Sequence, residues 1–324
     1  MSFSSPEFFV HSKWFASSVP VYRLWCHLLW WTRLHFVSRD FVETPTPFLV
    51  PCPGTEPSID FFSVEAHFLP SSPEISLKKV MALGFDRVFE IKACFRKDFP
   101  SVHHRPEFTM LEFYRPGNSQ DQLIQETQDF LFHLCQNLRI PTPPVSQRSV
   151  AQLFLRYLDF PLNPRVQLFD LQDLCLRLGI YFQASDTIED VFFRIWMDKI
   201  EPSLDPNELC FVTDYPSFQA AYASIAPSGW AGRVEVFWKG LELGNGFVEI
   251  TDPDEQETRM RKDNDLRVRQ SRPSIPLDEG FFEALRHGIP TCVGMALGLE
   301  RVLMALTGVL DIGQIHDFIT KSNT

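Results

Sequence analysis

Residues 88–114 read VFEIKACFRKDFPSVHHRPEFTMLEFY, two runs of strand-forming residues around a loop crowded with cations. Side chains alternate across a strand, so Phe108, Met110, Glu112 and Tyr114 share one face of the second run. On the first run Glu90, Lys92, Cys94 and Arg96 alternate likewise, and the loop adds Lys97, His103, His104 and Arg105. A flat aromatic, a carboxylate and a phenol in a row beside an arginine suit a lined binding site. The alternative is a surface hairpin with solvated charge.

A second stretch, VEVFWKGLELGNGFVEI (234–250), places more carboxylates on strands. With Lys239-Gly240 as a two-residue turn, Phe237 lies opposite Glu242, and Glu235 and Glu242 become diagonal neighbours on one face. Two carboxylates that close repel unless a cation or a proton lies between them. Hard oxygen ligands suit Mg2+ that takes its other ligands from phosphate and water. Plain alternation turns Asn245 and Glu249 to the opposite face from Glu242, so a β-bulge within Gly244-Asn245-Gly246 is expected to bring all four to one cleft. The alternative is an acidic edge hairpin with a glycine kink.

A third stretch, GMALGLER (294–301), runs a glycine-flanked strand end into a helix whose first turn carries Arg301. Helix N-termini favour anions, and an arginine there adds a bidentate phosphate ligand. Small residues in such a place also serve plain close packing.

Outward from these stretches, helices are expected over about 21–38, 72–83, 119–139, 150–158, 166–178, 189–200, 252–270 and 278–287, with a closing helix from 299. Short strands are expected near 41–43, 209–216, 232–238 and 241–250. The segment SSPE (71–74) opens its helix with serine, proline and Glu74, which together suit a helix start. Proline-rich segments 42–57 and 139–146 read as loops. Strands in antiparallel-looking runs without regular crossovers indicate an α+β fold.

The bulk composition sets limits. Of 324 residues 44% are hydrophobic, with 31 Phe and 7 Trp, which is a globular composition. A net charge of -11 argues against a broad nucleic-acid footprint, which needs clustered Lys and Arg. Seven scattered cysteines form no C-x-x-C pair, and a reducing cytosol is expected. The N-terminal run VYRLWCHLLWWTRLHFV (21–37) is broken by Arg23, His27, Arg33 and His35, so it does not read as a membrane span. An amphipathic helix packed on this chain or a second copy is preferred to a membrane-surface helix.

Taken together, these motifs resemble the catalytic domain of class II aminoacyl-tRNA synthetases of the lysyl type. The helix ending in FVETPTP (41–47) resembles motif 1, FRKDFPSVHHRPEFTMLEFY (95–114) motif 2 and GMALGLERVLMAL (294–306) motif 3. FLRYLDFPL (154–162), YPSFQAAYA (215–223), KGLELGNGF (239–247) and Ala296 are similar to the free-standing paralogues that join (R)-β-lysine to a lysine of elongation factor P.

The resemblance implies one mainly antiparallel catalytic domain over 1–324, a homodimer formed through a helix at about 20–40, and no anticodon-binding OB-fold. It implies ATP and Mg2+, lysine or β-lysine as substrate, elongation factor P rather than tRNA as acceptor, no membrane, and a cytoplasmic setting. Arg96 and Arg301 would be the catalytic arginines, on the α- and γ-phosphates. His104 would assist near the leaving phosphates, Phe108 would stack on adenine, and Glu235 and Glu242 would hold Mg2+. Glu74 would receive the amino group near the reacting carboxylate. Glu112, Tyr114, Asn245 and Glu249 would surround the side-chain ammonium, with Ala296 shaping that pocket. The alternatives are a truncated ligase acting on tRNA or a small molecule, and a noncatalytic synthetase-like regulator. Departures from the family pattern fall at Lys97, Asp98 and Arg105 in motif 2, and at Glu300 in motif 3.

Overall fold

The computed structural model of the chain describes residues 13–320. Helix α1 (Lys13–Val37) leads into β1 (Val42–Glu43), a small hairpin of β2 (Ser63–Val64) and β3 (His67–Phe68), and α2 (Glu74–Met81). Strands β4 (Val88–Phe95) and β5 (Glu107–Pro116) form the cation-rich hairpin, followed by α3 (Gln120–Leu138) and β6 (Val145–Ser149). Three helices, α4 (Val150–Leu158), α5 (Leu168–Leu178) and α6 (Ile188–Ile195), come next, and a π-helical turn Trp196–Ile200 extends the last. Then follow β7 (Leu209–Pro216), β8 (Trp230–Trp238), β9 (Leu241–Val248), α7 (Pro253–Arg269) and α8 (Glu279–His287). Strand β10 (Cys292–Gly298), α9 (Leu299–Thr307) and α10 (Gly313–Thr320) complete the described chain.

Eight strands build one sheet in the order β1-β4-β5-β10-β9-β8-β7-β6. Pairing is antiparallel from β4 through β7, and β1 and β6 add parallel edges. The α+β expectation therefore holds. The structure differs from the sequence reading in that α1 starts earlier, at Lys13, the proline-rich segment 139–146 runs into the edge strand β6, the helix expected over 189–200 ends in a π-helical turn, and the β2-β3 hairpin and α10 were not expected. An edge strand that follows prolines and pairs with one neighbour carries little period-2 signal of its own. Helix starts follow local chemistry, as Ser149 and Gln152 close a capping box on α4 and Asp252 caps α7 ahead of Pro253.

The sheet has two unlike faces. Phe89, Leu111, Phe113, Val234, Val236, Met295 and Leu297 form one apolar cluster with α1, α3 and α9. Two glycines let that layer close up: a Cβ on Gly244 would stand 2.3 Å from the Ala296 carbonyl oxygen, and one on Gly246 2.5 Å from that of Gly294. The other face carries the charged strand residues and is covered by α2, α4, α5, α6 and α8 around a second cluster that includes Leu77, Phe154, Phe192 and Phe281. Among the described residues no helix is long and apolar enough to cross a membrane.

Candidate active site

The charged face of the sheet forms the floor of a cavity of about 480 Å³. Glu74, Arg96, His104, Phe108, Glu242, Asn245, Ala296 and Arg301 all line it. Register explains the convergence. Glu112 on β5 lies opposite Ala296 on β10, Ala296 lies opposite Asn245 on β9, and Asn245 lies opposite Glu235 on β8. Four strands thus deliver one transverse row of the candidate side chains.

The expected bulge is present, one residue before the glycine run. Phe237 pairs with Glu242 and Val236 with Gly244, so Leu243 is the extra residue. It corrects the parity, and Glu235, Glu242, Asn245 and Glu249 fall on one face. Glu235 consequently pairs with Asn245, not with Gly244 as an unbulged hairpin would have it.

At one end lie the arginines. The Arg96 guanidinium sits 5.1 Å from the Phe108 ring centroid, and its buried Nε has no hydrogen-bond partner among the described residues. Arg301 donates from Nη1 to the Glu242 carbonyl oxygen at 3.0 Å, and its Nη2 meets His104 Nε2 at 2.9 Å. Partial burial and the Arg301 charge hold His104 below the usual histidine range, so the ring is neutral and can accept that bond. Two departures from the family pattern have structural work. Arg105 bonds Asp311 at 3.1 Å and braces the loop, and Glu300 accepts the Thr109 amide at 2.8 Å and bonds His316 at 3.2 Å.

Glu242 and Glu235 form the acidic pair. Burial, then the neighbouring Glu235, pushes Glu242 up to about 7. Glu235 is less available, since its two oxygens accept from Tyr215 Oη and Arg233 Nη2, each at 2.5 Å. No group of three or more metal-ligating side chains occurs among the described residues. An incomplete set of one free and one engaged carboxylate fits Mg2+ that arrives with phosphate and water ligands, and it does not fit a protein-caged metal.

The residues expected around an ammonium come together, and their polar atoms are engaged with one another. Tyr114 Oη donates to Glu112 Oε1 at 2.5 Å, and Ser72 Oγ donates to Glu112 Oε2 at 2.7 Å while accepting the Glu74 amide. Behind Asn245, Lys78 places Nζ 2.6 Å from both Glu74 Oε1 and Glu249 Oε2, and 4.9 Å from the Tyr222 ring centroid. Lys78 is fully buried. Burial works against its charge, but Glu249 and Glu74 hold it well above the ordinary lysine range. Burial raises Glu112 and Glu249 each to about 8; Glu74 adds to both, and Lys78 opposes both. Glu249 Oε1 has no hydrogen-bond partner among the described residues.

Sequence reading had not singled out Lys78, Ser72 or Arg233. For Lys78 the signal was the Glu74/Lys78 spacing of four along one helix face. For Arg233 it was alternation with Glu235 on β8.

The model for class II tRNA synthetases (D, K and N) matches residues 21–321. An elongation factor P--(R)-beta-lysine ligase of Klebsiella pneumoniae (strain 342) is 34% identical over 304 residues, covering 88% of this chain and 90% of the relative. The protein of the same description from Photorhabdus laumondii is 32% identical over 311 residues, 90% of this chain and 92% of the relative. That of Hamiltonella defensa is 30% identical over 301 residues, 88% and 90%. With motifs, register and cavity in place and these matches spanning nearly its whole length, the chain belongs to the class II tRNA synthetases of the D, K and N type.

Proposed function

We propose that the chain activates a diamino acid of the lysine type with ATP and transfers it as an amide to a lysine side chain of elongation factor P. The observation that carries the first half is the charge of the pocket. Three carboxylates, Glu74, Glu112 and Glu249, face one resident ammonium, Lys78. A fully ionised pocket is left with two negative charges in excess, which two ammonium groups on one substrate would balance. A monoamino acid would leave one of the raised carboxyls protonated and would forgo the ion pair that a second ammonium makes there.

The acceptor half rests on the names of the relatives and on their coverage of this chain. (R)-β-lysine, rather than α-lysine, is the substrate we favour, because Ala296 sits in the row between Glu112 and Asn245, where its methyl group shapes the space for the amino group.

In the activation step the substrate carboxylate attacks the α-phosphate in line, forming an aminoacyl adenylate and releasing pyrophosphate. Arg96 would neutralise charge growing at phosphorus, Arg301 would hold the far phosphate, and Phe108 would offer a stacking face for adenine. Neutral His104, accepting from Arg301 at Nε2, would help hold that guanidinium beside the leaving phosphates. Mg2+, when bound, would neutralise phosphate charge. Glu242 would hold it, joined by Glu235 after release of Tyr215 or Arg233. No side chain needs to form a covalent intermediate, and catalysis rests on positioning.

We read the described residues as one catalytic unit that pairs with a second copy through α1 and β1. Trp30, Leu34, Val37 and Val42 stand exposed there, at 58%, 44%, 58% and 46%. Seven free cysteines, six of them buried, fit a reducing cytoplasm. The test is ATP–pyrophosphate exchange with α-lysine, (R)-β-lysine and norleucine, followed by transfer to elongation factor P and to tRNA. Exchange with either lysine but not norleucine is expected, with transfer to the protein only. Equal exchange with norleucine would remove the charge argument.

A further inference from the structure

Beyond the pocket for the activated amino acid, the same cavity is lined by a second group of polar side chains, several of whose oxygens have no donor among the described residues. Glu56, from the loop before β2, and Gln256 and Asp263, from α7, line it together with Tyr222. Tyr222 is 5% exposed and its hydroxyl has no hydrogen-bond partner among the described residues. Gln256 is 1% exposed and its Oε1 likewise has none, nor does the sealed Oε2 of Glu56. Asp263 Oδ2 is held by Thr55 Oγ1 at 3.0 Å. Three buried, unpartnered oxygens on one wall of a cavity call for a group with several N–H donors, and an alkylammonium has three.

We propose that this wall is the entry site for the acceptor's lysine ammonium, and that Glu56 is the base that deprotonates it for attack on the adenylate. The proposal rests on the function proposed above. Charge assigns the site to the acceptor and not to the activated amino acid, since the two amines of the latter already balance Glu74, Glu112 and Glu249 against Lys78. Position agrees: Glu56 lies within electrostatic reach of Glu74, beside the reacting carboxyl, and of Arg96, beside the α-phosphate.

The remaining charged and titratable groups that feel Glu56 are Asp263 and Arg267 of α7, Cys52 and Tyr222. Burial, with Glu74 adding and Arg96 opposing, lifts Glu56 to about 7, within the range of a working base at neutral pH. One proton passes from the acceptor ammonium to the Glu56 carboxylate. The freed lone pair forms the C–N bond to the acyl carbon, and the bond from that carbon to the phosphoryl oxygen breaks with its electron pair leaving on AMP. The second proton, shed as nitrogen becomes an amide, goes to the departing AMP phosphate.

The experiment uses the full chain, Glu56→Gln and Asp263→Asn, with ATP–pyrophosphate exchange and single-turnover transfer measured separately. In Glu56→Gln, transfer to elongation factor P is expected to fall about 100-fold or more, and exchange less than about threefold. The ascending limb of the wild-type transfer rate near pH 7 should vanish with it. Hydroxylamine, already uncharged at neutral pH, should still trap the adenylate as hydroxamate at close to the wild-type rate, which also reports an intact fold. Asp263→Asn should raise the concentration of acceptor needed and leave the pH limb in place. A matching loss of exchange and transfer in Glu56→Gln would overturn the proposal by assigning the wall to the activated amino acid. Undiminished transfer would overturn it outright. Absence of exchange in the unmodified protein would instead refute the proposed function.

Discussion

Gly294→Ala tests the ammonium pocket from behind. Gly294 lies on β10 opposite Tyr114, and its missing side chain points at the pocket. An added Cβ would stand 2.3 Å from Cε1 and 2.5 Å from Cδ1 of Tyr114, and 2.8 Å from Oε1 of Glu249. Unstrained carbon contacts need about 3.5–4.0 Å, so the ring must retreat by roughly 1 Å. Tyr114 is 2% exposed, and its hydroxyl is tied to Glu112 at 2.5 Å. Overpacking costs about 1–3 kcal/mol and losing a hydrogen bond to a charged group about 1.5–3. If about 3 kcal/mol of this falls on substrate binding, kcat/KM for the diamino acid drops roughly 100-fold. The arginines and Phe108 stand elsewhere on the floor, so KM for ATP should move less than about threefold. Exchange kinetics with each substrate varied in turn reads both numbers. An unaltered KM for lysine in a folded Gly294→Ala protein would show that Tyr114 and Glu249 do not hold the substrate ammonium.

Arg96→Ala should abolish exchange while leaving the oligomeric state intact, as size-exclusion chromatography would report; retained exchange would remove Arg96 from the α-phosphate. Lysine binding should release protons at pH 7, because Glu112 and Glu249, raised to about 8 when the pocket is empty, ionise against the incoming cations. Affinity should therefore rise with pH up to about 8, and calorimetry in buffers of different ionisation enthalpy measures the protons. For the ligand-free protein the sign reverses: a buried acid with a raised pKa binds its proton more tightly folded than unfolded, so stability falls as pH climbs from about 4.5 to 8. Thermal melts across that window check this. Lys78→Met should destabilise by about 3–5 kcal/mol, because Glu74 and Glu249 lose their shared cation. Denaturant titration gives the value.

What the sequence revealed and what it hid have physical causes. Alternation on β4, β5 and β8 was readable because these strands are half polar, and the pattern survives without knowing their partners. The need for a bulge was readable from charge, since the four polar side chains Glu235, Glu242, Asn245 and Glu249 could not otherwise share a face. Its location at Leu243 was not. Gly244 and Gly246 drew attention as bulge formers, yet they are needed where backbone of β9 presses against β10 and α3. Lys78 was obscured for a different reason. Its role depends on which face of α2 turns to the sheet, and only the packing of α2 against β4 and α8 settles that. The wall of Glu56, Tyr222 and Asp263 draws on segments more than 40 residues apart, none with a motif of its own.

Glu300 ties the strand end that carries Phe108 to a distant part of the molecule. Its carboxylate fixes the Thr109 amide, next to Phe108, and also meets His316 of α10, whose ring stands edge-on to Trp25 of α1 at 4.9 Å. The first and last described helices are thus clasped together beneath the residue assigned to adenine. Removing α10 should therefore register as weakened nucleotide affinity, with discrimination among amino acids preserved.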